Sequence, residues 1–370
     1  MKIVHNLKVG MIGGTETHAL TLGLAQAEAG HDVSFVIAGK PGGASDLMEE
    51  KGFPVYYADG KSEHDLFGAL RIRKIFKQLK PDVIHSHGMA RAAFVTTAFL
   101  KGVRVYTAHC YPSQAVQAVV LRKCLSLMNR WIVKFCDGYI TVTDDVRKES
   151  EKRGNFMNCP WAVIYNGIDL SLFHPSERAT LPAKESGEPI ELLLVGRMER
   201  EKHPDDAIRI LALFREKYDL NARLTFCGDG SSLPRSKEVA QEMGLSEFVT
   251  FAGRRNDVHE FMRKSHGLLF LSDHETFAQV PLEAIACGCP VFAYRVSGGF
   301  HEWFKDEGSG GVISEERTPE SLAEKVAAVL ADQNQWEQLR RDGVKTAQNF
   351  SDKVMAEKTV AFYEELLSSR

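Results

Sequence analysis

The sequence lacks the marks of a membrane-spanning, disulfide-built or metal-ribbon protein. No apolar run approaches the roughly 18 residues that a membrane-spanning helix needs, so no helical span is expected. The opening residues, MKIVHNLKVG, run directly into a strand-like pattern without a signal-type apolar segment, which favours a cytoplasmic location. Cysteine is sparse and odd in number, seven in 370 residues, with no CxxC pair and no His-rich ligand spacing. Buried reduced thiols are therefore expected, and no metal site. Neither sign of charge dominates, the net charge being −3, and no nucleic-acid partner is expected. Low-complexity tracts and short internal repeats are absent. So are the two phosphate-binding signatures GxGxxG and GxxxxGK[ST], which disfavours a dinucleotide-dependent dehydrogenase and a P-loop enzyme.

What is present is a soluble, globular composition, 44% hydrophobic and 26% charged, on a chain long enough for two domains. Charge is uneven along it: residues 1–185 carry 23 Lys+Arg against 18 Asp+Glu, and the remainder 23 against 31. A basic N-terminal half could face an anionic membrane or acceptor. Short apolar segments alternate with longer amphipathic ones, the pattern of a doubly wound parallel sheet. Strands are expected at 2–7, 32–38, 55–58, 82–86, 103–108, 138–142 and 162–165, with helices at 16–29, 63–79, 90–100, 115–135 and 144–153. A polar stretch with three prolines, 167–189, reads as a linker. A second alternating set follows, with strands at 190–195, 223–227, 249–251, 267–271, 291–294 and 311–313. The expected architecture is thus α/β, two Rossmann-like domains facing across a cleft, at 1–180 and 181–350. A capped terminal helix, within 351–370, would pack back on the first domain.

In such sheets ligands bind beyond the carboxyl ends of the strands, so the loops there carry the chemistry. The stretch 272–288, SDHETFAQVPLEAIACG, follows a buried strand and places Glu275 and Glu283 eight residues apart. Pro281 suits the first position of a helix, Glu283 its first turn, and Gly288 its end. Free N–H groups at that helix start would attract an anion, while the two carboxylates could accept sugar hydroxyls. Without a ligand, Glu283 would simply complement the helix dipole. After the first strand, Gly13-Gly14-Thr15-Glu16 enters a helix and could admit a phosphate. After later strands come His85-Ser86-His87 and His109. Two histidines two apart are read as pointing to opposite faces, which argues against a chelating pair; core hydrogen bonding is the competing role for both positions. In the second half, Arg197 and Lys202 could clamp a diphosphate, one as a planar fork and one as a point charge. Gly228 and Arg254 lie where a nucleotide base could sit. The 115–135 segment, with Arg122, Lys123, Arg130, Lys134 and Trp131, reads equally as an interfacial amphipathic helix or as a cover for the sheet.

In this order the pieces resemble retaining glycosyltransferases of family 4, which have the GT-B fold. The motifs are Gly13-Gly14 with Glu16 and His18, Asp82 to His87, His109, Tyr165-Asn166-Gly167-Ile168-Asp169, and Gly196-Arg197 with Lys202. They continue with Gly228-Asp229-Gly230, Phe251-Ala252-Gly253, Glu275-x7-Glu283 and Cys287-Gly288-Cys289-Pro290-Val291. The resemblance spans essentially the whole chain. It implies that Glu283 holds ribose hydroxyls, and that Glu275 and His109 sit at the donor sugar. Backbone N–H groups of Phe277 and Ala278 would meet the sugar or its diphosphate, Arg254 would border the base, and Gly14 would let its loop close over the phosphates. Arg197 and Lys202 would neutralise the departing nucleoside diphosphate, the role a divalent metal fills in other transferases, so no metal or other cofactor is implied. Thr15, Glu16, His18, His87 and the 115–135 segment would face the acceptor.

The implied reaction moves a hexosyl unit from a UDP- or GDP-sugar to a saccharide or lipid-linked acceptor in cell-envelope polysaccharide or lipopolysaccharide synthesis, at the inner face of the membrane. Two positions depart from the pattern. Ala278 replaces the usual Gly, and His203-Pro204 follows Lys202 where the family commonly has Gly. A nucleotide-sugar 2-epimerase of the same architecture and a non-catalytic nucleotide-sugar-binding partner are the rival readings.

Overall fold

The computed structural model describes residues 1–60, 65–87, 97, 100–110, 136–152, 159–175, 180–183 and 186–370. The expected 90–100 and 115–135 helices, and with them the membrane-contact segment, lie outside the described residues apart from Thr97 and Leu100. Among the described residues no helix is long and apolar enough to cross a membrane. The chain forms two compact units, residues 1–167 with 352–370, and residues 168–351.

The first unit is built on seven parallel strands: Lys2–Leu7 (β1), Asp32–Ile37 (β2), Val55–Tyr57 (β3), Val83–His87 (β4), Val103–Ala108 (β5), Gly138–Thr141 (β6) and Trp161–Val163 (β7). Their order is β3-β2-β1-β4-β5-β6-β7. The sheet is covered on both faces, so its inner strands read as continuous apolar runs rather than alternating ones. One face packs on the Gly14–Glu28 helix and on the C-terminal Asp352–Ser368 helix. Met355, Phe362, Tyr363 and Leu366 join Ile3, Phe35, Val83 and Val105 in that core. The terminal helix lies close because β6 begins with Gly138, where a side chain would collide with Leu366 and Phe362.

The second unit repeats the plan with Ile190–Val195 (β8), Ala222–Cys227 (β9), Val249–Gly253 (β10), Gly267–Phe270 (β11), Val291–Tyr294 (β13) and Gly311–Ser314 (β15). The order is β10-β9-β8-β11-β13-β15, and a two-residue pair, His274–Glu275 (β12) with Ser297–Gly298 (β14), stands apart from it. Leu192, Leu194, Leu224, Phe226 and Phe292 form the apolar centre with Ile208, Phe214 and Leu322 from helices Pro204–Glu216 and Pro319–Leu330. In both sheets the chain leaves the first strand in opposite directions. That creates a topological switch point, between β1 and β4 in one unit and between β8 and β11 in the other, where ligands of such sheets bind.

The units do not divide at residue 180. Ile168 is 1% exposed, bridges Ser351 in parallel and donates its N–H to the Phe350 carbonyl at 3.0 Å. Arg263 donates to the His174 carbonyl at 3.1 Å. Residues 168–175 are therefore held by the second unit, and their polarity and prolines reflect a path along its surface rather than a free linker. The Gly43–Glu50 helix and the β12/β14 pair were not anticipated, both being too short for a clear period. The six cysteines within the described residues are free thiols, four of them buried, but Cys110 is exposed and departs from the expectation of buried thiols.

Candidate active site

In the second unit, glycines let three strand-end loops knit together. Gly196 and Gly228 adopt φ of 147° and 151°, which only glycine tolerates without strain. The Gly196 N–H donates to Cys227, the Met198 N–H to Asp229 and the Gly228 N–H to Gly253, at 2.8–3.0 Å. A side chain on Gly228 would collide with the Gly196 carbonyl. This ladder carries Arg197 outward: its side chain is 76% exposed, with a long ion pair to Glu201 at 3.6 Å. An exposed pair of this kind contributes about 0–1 kcal/mol, so the guanidinium can re-partner at little cost. Arg254 is likewise exposed beyond β10.

Across the switch point, the loop after β11 meets the loop after β8. Lys202, in the Arg200–Lys202 3-10 turn, donates to Glu275 and, at 3.2 Å, to the Ser272 hydroxyl. Ser272 in turn donates to Glu275 at 3.1 Å. Lys202 and Glu275 are thus one half-buried unit of cation, hydroxyl and carboxylate. Glu275 is placed by β12, which runs against Gly298 so closely that a side chain there would strike the Glu275 carbonyl. Phe277 is buried, and its carbonyl accepts from the Trp303 indole at 2.7 Å. Ser272, Asp273, Gly298 and Trp303 belong to this machinery. Sequence reasoning did not select them, because each acts through a neighbour rather than by its own residue type.

The helix that follows begins two residues earlier than expected. It runs Gln279–Ala286 with Ala278 as its N-cap residue, so Pro281 is third and Glu283 lies beyond the first turn. The shift is tolerated because the first four N–H groups of a helix have no internal partner, and a proline there breaks no bond. Glu283 is half-buried there. Desolvation pushes its carboxyl up to about 8, which the Gln279 side chain only partly offsets. Gly288, at φ 73°, ends the helix as anticipated.

In the first unit, Gly13 caps the Gly14–Glu28 helix in an extended conformation, and a side chain at Gly14 would meet open space. Thr15 is half-buried. Glu16 is buried, and desolvation raises its carboxyl pKa. His18 and His87 are 4% and 1% exposed. With His5, His85 and the half-buried His109 they form a packed array of five imidazoles. The expectation that His85 and His87 point apart is overturned. Residues two apart on a strand share a face, and the two rings lie 4.1 Å apart. His85 contacts the Tyr363 hydroxyl and, at 2.6 Å, that of Thr107. His87 joins His5 at 2.8 Å and His109 at 3.1 Å. Burial holds every ring neutral: it lowers His5 to about 4 and His109 to about 3, and keeps His18, His85 and His87 well below 6.5. Two triads, His5/His85/His87 and His18/His87/His109, bring their nitrogens within 4.8 Å of one another.

Residues 178–349 match the family model for Glycosyl transferases group 1, and residues 12–172 that for Glycosyltransferase Family 4. The chain belongs to glycosyltransferase family 4. Among its relatives is the N-acetyl-alpha-D-glucosaminyl L-malate synthase of Bacillus anthracis, 23% identical over 97% of this chain and 96% of that protein. Another is a GDP-mannose-dependent alpha-(1-6)-phosphatidylinositol dimannoside mannosyltransferase of Mycobacterium tuberculosis, 26% identical over 86% and 84%. The fold is that of Anabaena HepE, solved in complex with UDP, with a TM-score of 0.81 over 99% of this chain and 100% of that one at 18% identity.

Seen as a family 4 glycosyltransferase, the chain explains its two departures from the glycine pattern. Both Ala278 and His203 occupy the left-handed region, at φ 67° and 48°, where an L side chain costs about 1–2 kcal/mol. His203 is compensated by Asp273 at 2.8 Å. Ala278 is 5% exposed and has only packing to offset its strain. Ala278→Gly is therefore expected to stabilise this glycosyltransferase, but by no more than about 1 kcal/mol, because glycine's extra freedom in the unfolded chain takes back part of the gain. Urea denaturation checks this; a loss of stability would mean that the methyl contact outweighs the strain.

Proposed function

We propose that the chain is a retaining, metal-independent hexosyltransferase that moves a sugar from UDP or GDP to a saccharide or lipid-linked acceptor. The observation that carries the reading is the Lys202–Ser272–Glu275 unit at the switch point of the second sheet, beside the outward Arg197. Breaking the anomeric bond leaves an oxocarbenium-like sugar and a diphosphate, so cations must meet the leaving group and a carboxylate the sugar. Lys202, drawn from Glu275 to the diphosphate, frees that carboxylate for the sugar hydroxyls. Arg197 supplies the bidentate fork, Glu283 accepts the ribose, and Phe277 and Ala278 offer N–H groups at the helix start. Gly13, Gly14, Gly228 and Arg254 complete the donor contacts, and His109 meets the donor sugar. Thr15, Glu16, His18 and His87 belong to the acceptor side, the last three from beneath its surface.

Front-face attack, with the leaving phosphate taking the acceptor proton, accounts for retention. The names of the relatives, one GDP-mannose-dependent and one solved with UDP, support a nucleotide-sugar donor. A cell-envelope acceptor and a peripheral position at the cytoplasmic membrane face remain part of the same proposal. The test is a thermal-shift panel of UDP- and GDP-sugars, followed by incubation of the best donor with and without saccharide and glycolipid acceptors. Transfer with the anomeric configuration kept, read by NMR, is expected. An inverted product, a sugar altered without any acceptor, or binding without turnover would each refute it.

A further inference from the structure

The histidine array has a direction, and that direction ends at His109. Gln26, on the Gly14–Glu28 helix, places its amide nitrogen toward the Tyr363 hydroxyl at 3.4 Å and its carbonyl oxygen 2.8 Å from His5 Nε2. A carbonyl oxygen can only accept, so His5 donates from Nε2, and a neutral ring that donates from one nitrogen accepts on the other. His5 Nδ1 therefore accepts from His87 Nε2 at 2.8 Å. His87 Nδ1 must then accept from His109 Nε2 at 3.1 Å. The neighbouring branch agrees with this polarity. Tyr363 accepts from Gln26 and donates to His85 Nδ1, leaving His85 Nε2–H for Thr107. The deduction requires neutral rings, a condition met by the full burial of His5, His85 and His87, while desolvation lowers His109 as well. The strand register makes the array rigid, since β1 and β4 pair His5 with His85 and Leu7 with His87.

We propose that Gln26, His5 and His87 are positioning residues that fix the tautomer of His109, keeping Nε2 as donor to His87 and Nδ1 as a lone pair for a substrate hydroxyl. This rests on the reading that His109 meets the donor sugar. An imidazole locked as an acceptor would select a sugar hydroxyl that donates a hydrogen bond, and would refuse a substrate oxygen that can only accept. A locked tautomer also avoids losing the half of the molecules that would present N–H instead, as when histidine orientation is set by a partner behind it.

The test has a readout independent of substrate. Long-range 15N–1H spectra of histidine-labelled protein, with the His109 signals assigned from His109→Asn, should show a single tautomer protonated at Nε2 from pH 8 to pH 5. Gln26→Met keeps the side-chain shape but removes the acceptor; it should give a mixture of His109 tautomers and lower kcat in proportion to the fraction protonated at Nδ1, about twofold for an even mixture, with the donor KM little changed. A wild-type His109 protonated at Nδ1, or a charged ring at pH 6, would overturn the proposal even if the variant did not fold. So would an unchanged His109 spectrum in Gln26→Met. Recovery of a stoichiometric transition metal with the purified protein, lost on mutating His87, would also overturn it, because a triad holding an ion could not pass the hydrogen bond along. A mixed His109 spectrum in Gln26→Met with undiminished transfer would support the relay but refute the role of His109 at the sugar.

Discussion

Replacing Lys202 by alanine is expected to lower kcat by roughly 10²–10³-fold, and the Arg197/Lys202 double alanine variant by more. The magnitude is that of losing one preorganised charge or donor aimed at developing charge. The effect should fall on kcat more than on donor KM, because the bridging oxygen gains its charge only as the bond breaks. The structure separates this loss from misfolding. Arg197 is exposed with one long ion pair to Glu201, and surface substitutions of this kind change stability by about 0.5 kcal/mol or less. Lys202 is more engaged, and its removal leaves Glu275 with Ser272 as its remaining hydrogen-bond donor of the trio. Lys202→Arg, which keeps the charge but changes its shape, should recover part of the rate. Steady-state kinetics beside thermal melts check both. An unaltered kcat in the double variant would remove the cations from the mechanism.

The second large effect concerns stability. Glu283→Gln is expected to stabilise the second unit at pH 7 by up to about 3 kcal/mol, while weakening donor binding by up to about tenfold. The sign follows from proton linkage. The carboxyl titrates near 8 when folded against an ordinary 4.5, so between those values the folded state holds a proton that the unfolded chain has released. Wild-type stability from this group is therefore full below about pH 4.5 and is lost progressively as pH rises toward 8. Glutamine removes the dependence, since it needs no proton to stay neutral. The functional cost is the loss of one carboxyl hydrogen-bond partner for the ribose hydroxyls, which for a neutral group is worth about 0.5–1.5 kcal/mol. A half-buried acid retained at such expense is the pattern of a stability and activity trade-off. Denaturation at pH 5 and pH 8 decides it: the wild type and the glutamine variant should differ little at the first and most at the second. A variant less stable than the wild type at pH 8 would contradict the account.

Most of the architecture was legible from the alternation of short apolar and longer amphipathic segments, because buried parallel strands carry continuous apolar runs that few other elements share. The Gly288 position was legible as the end of a helix, and it has positive φ. Strand-face geometry was misjudged at His85 and His87, and with it the histidine array, which draws residues from β1, β4, the Gly14–Glu28 helix and the loop after β5. No local pattern announces such a convergence. The start of the Gln279–Ala286 helix was misplaced because Pro281 marks any of the first few positions equally well. Ile168 looked like linker because its bridge partner, Ser351, lies at the far end of the second unit. The left-handed Ala278 and His203 could be suspected only as departures from a glycine pattern; their φ values required the backbone.

The central claim is that protein cations, and no divalent metal, neutralise the departing diphosphate. It is tested most directly by the transfer rate of the enzyme before and after exhaustive chelation, at saturating donor and acceptor. The account predicts the same rate within about twofold on either side. A rate abolished by the chelator and restored by magnesium or manganese would contradict it.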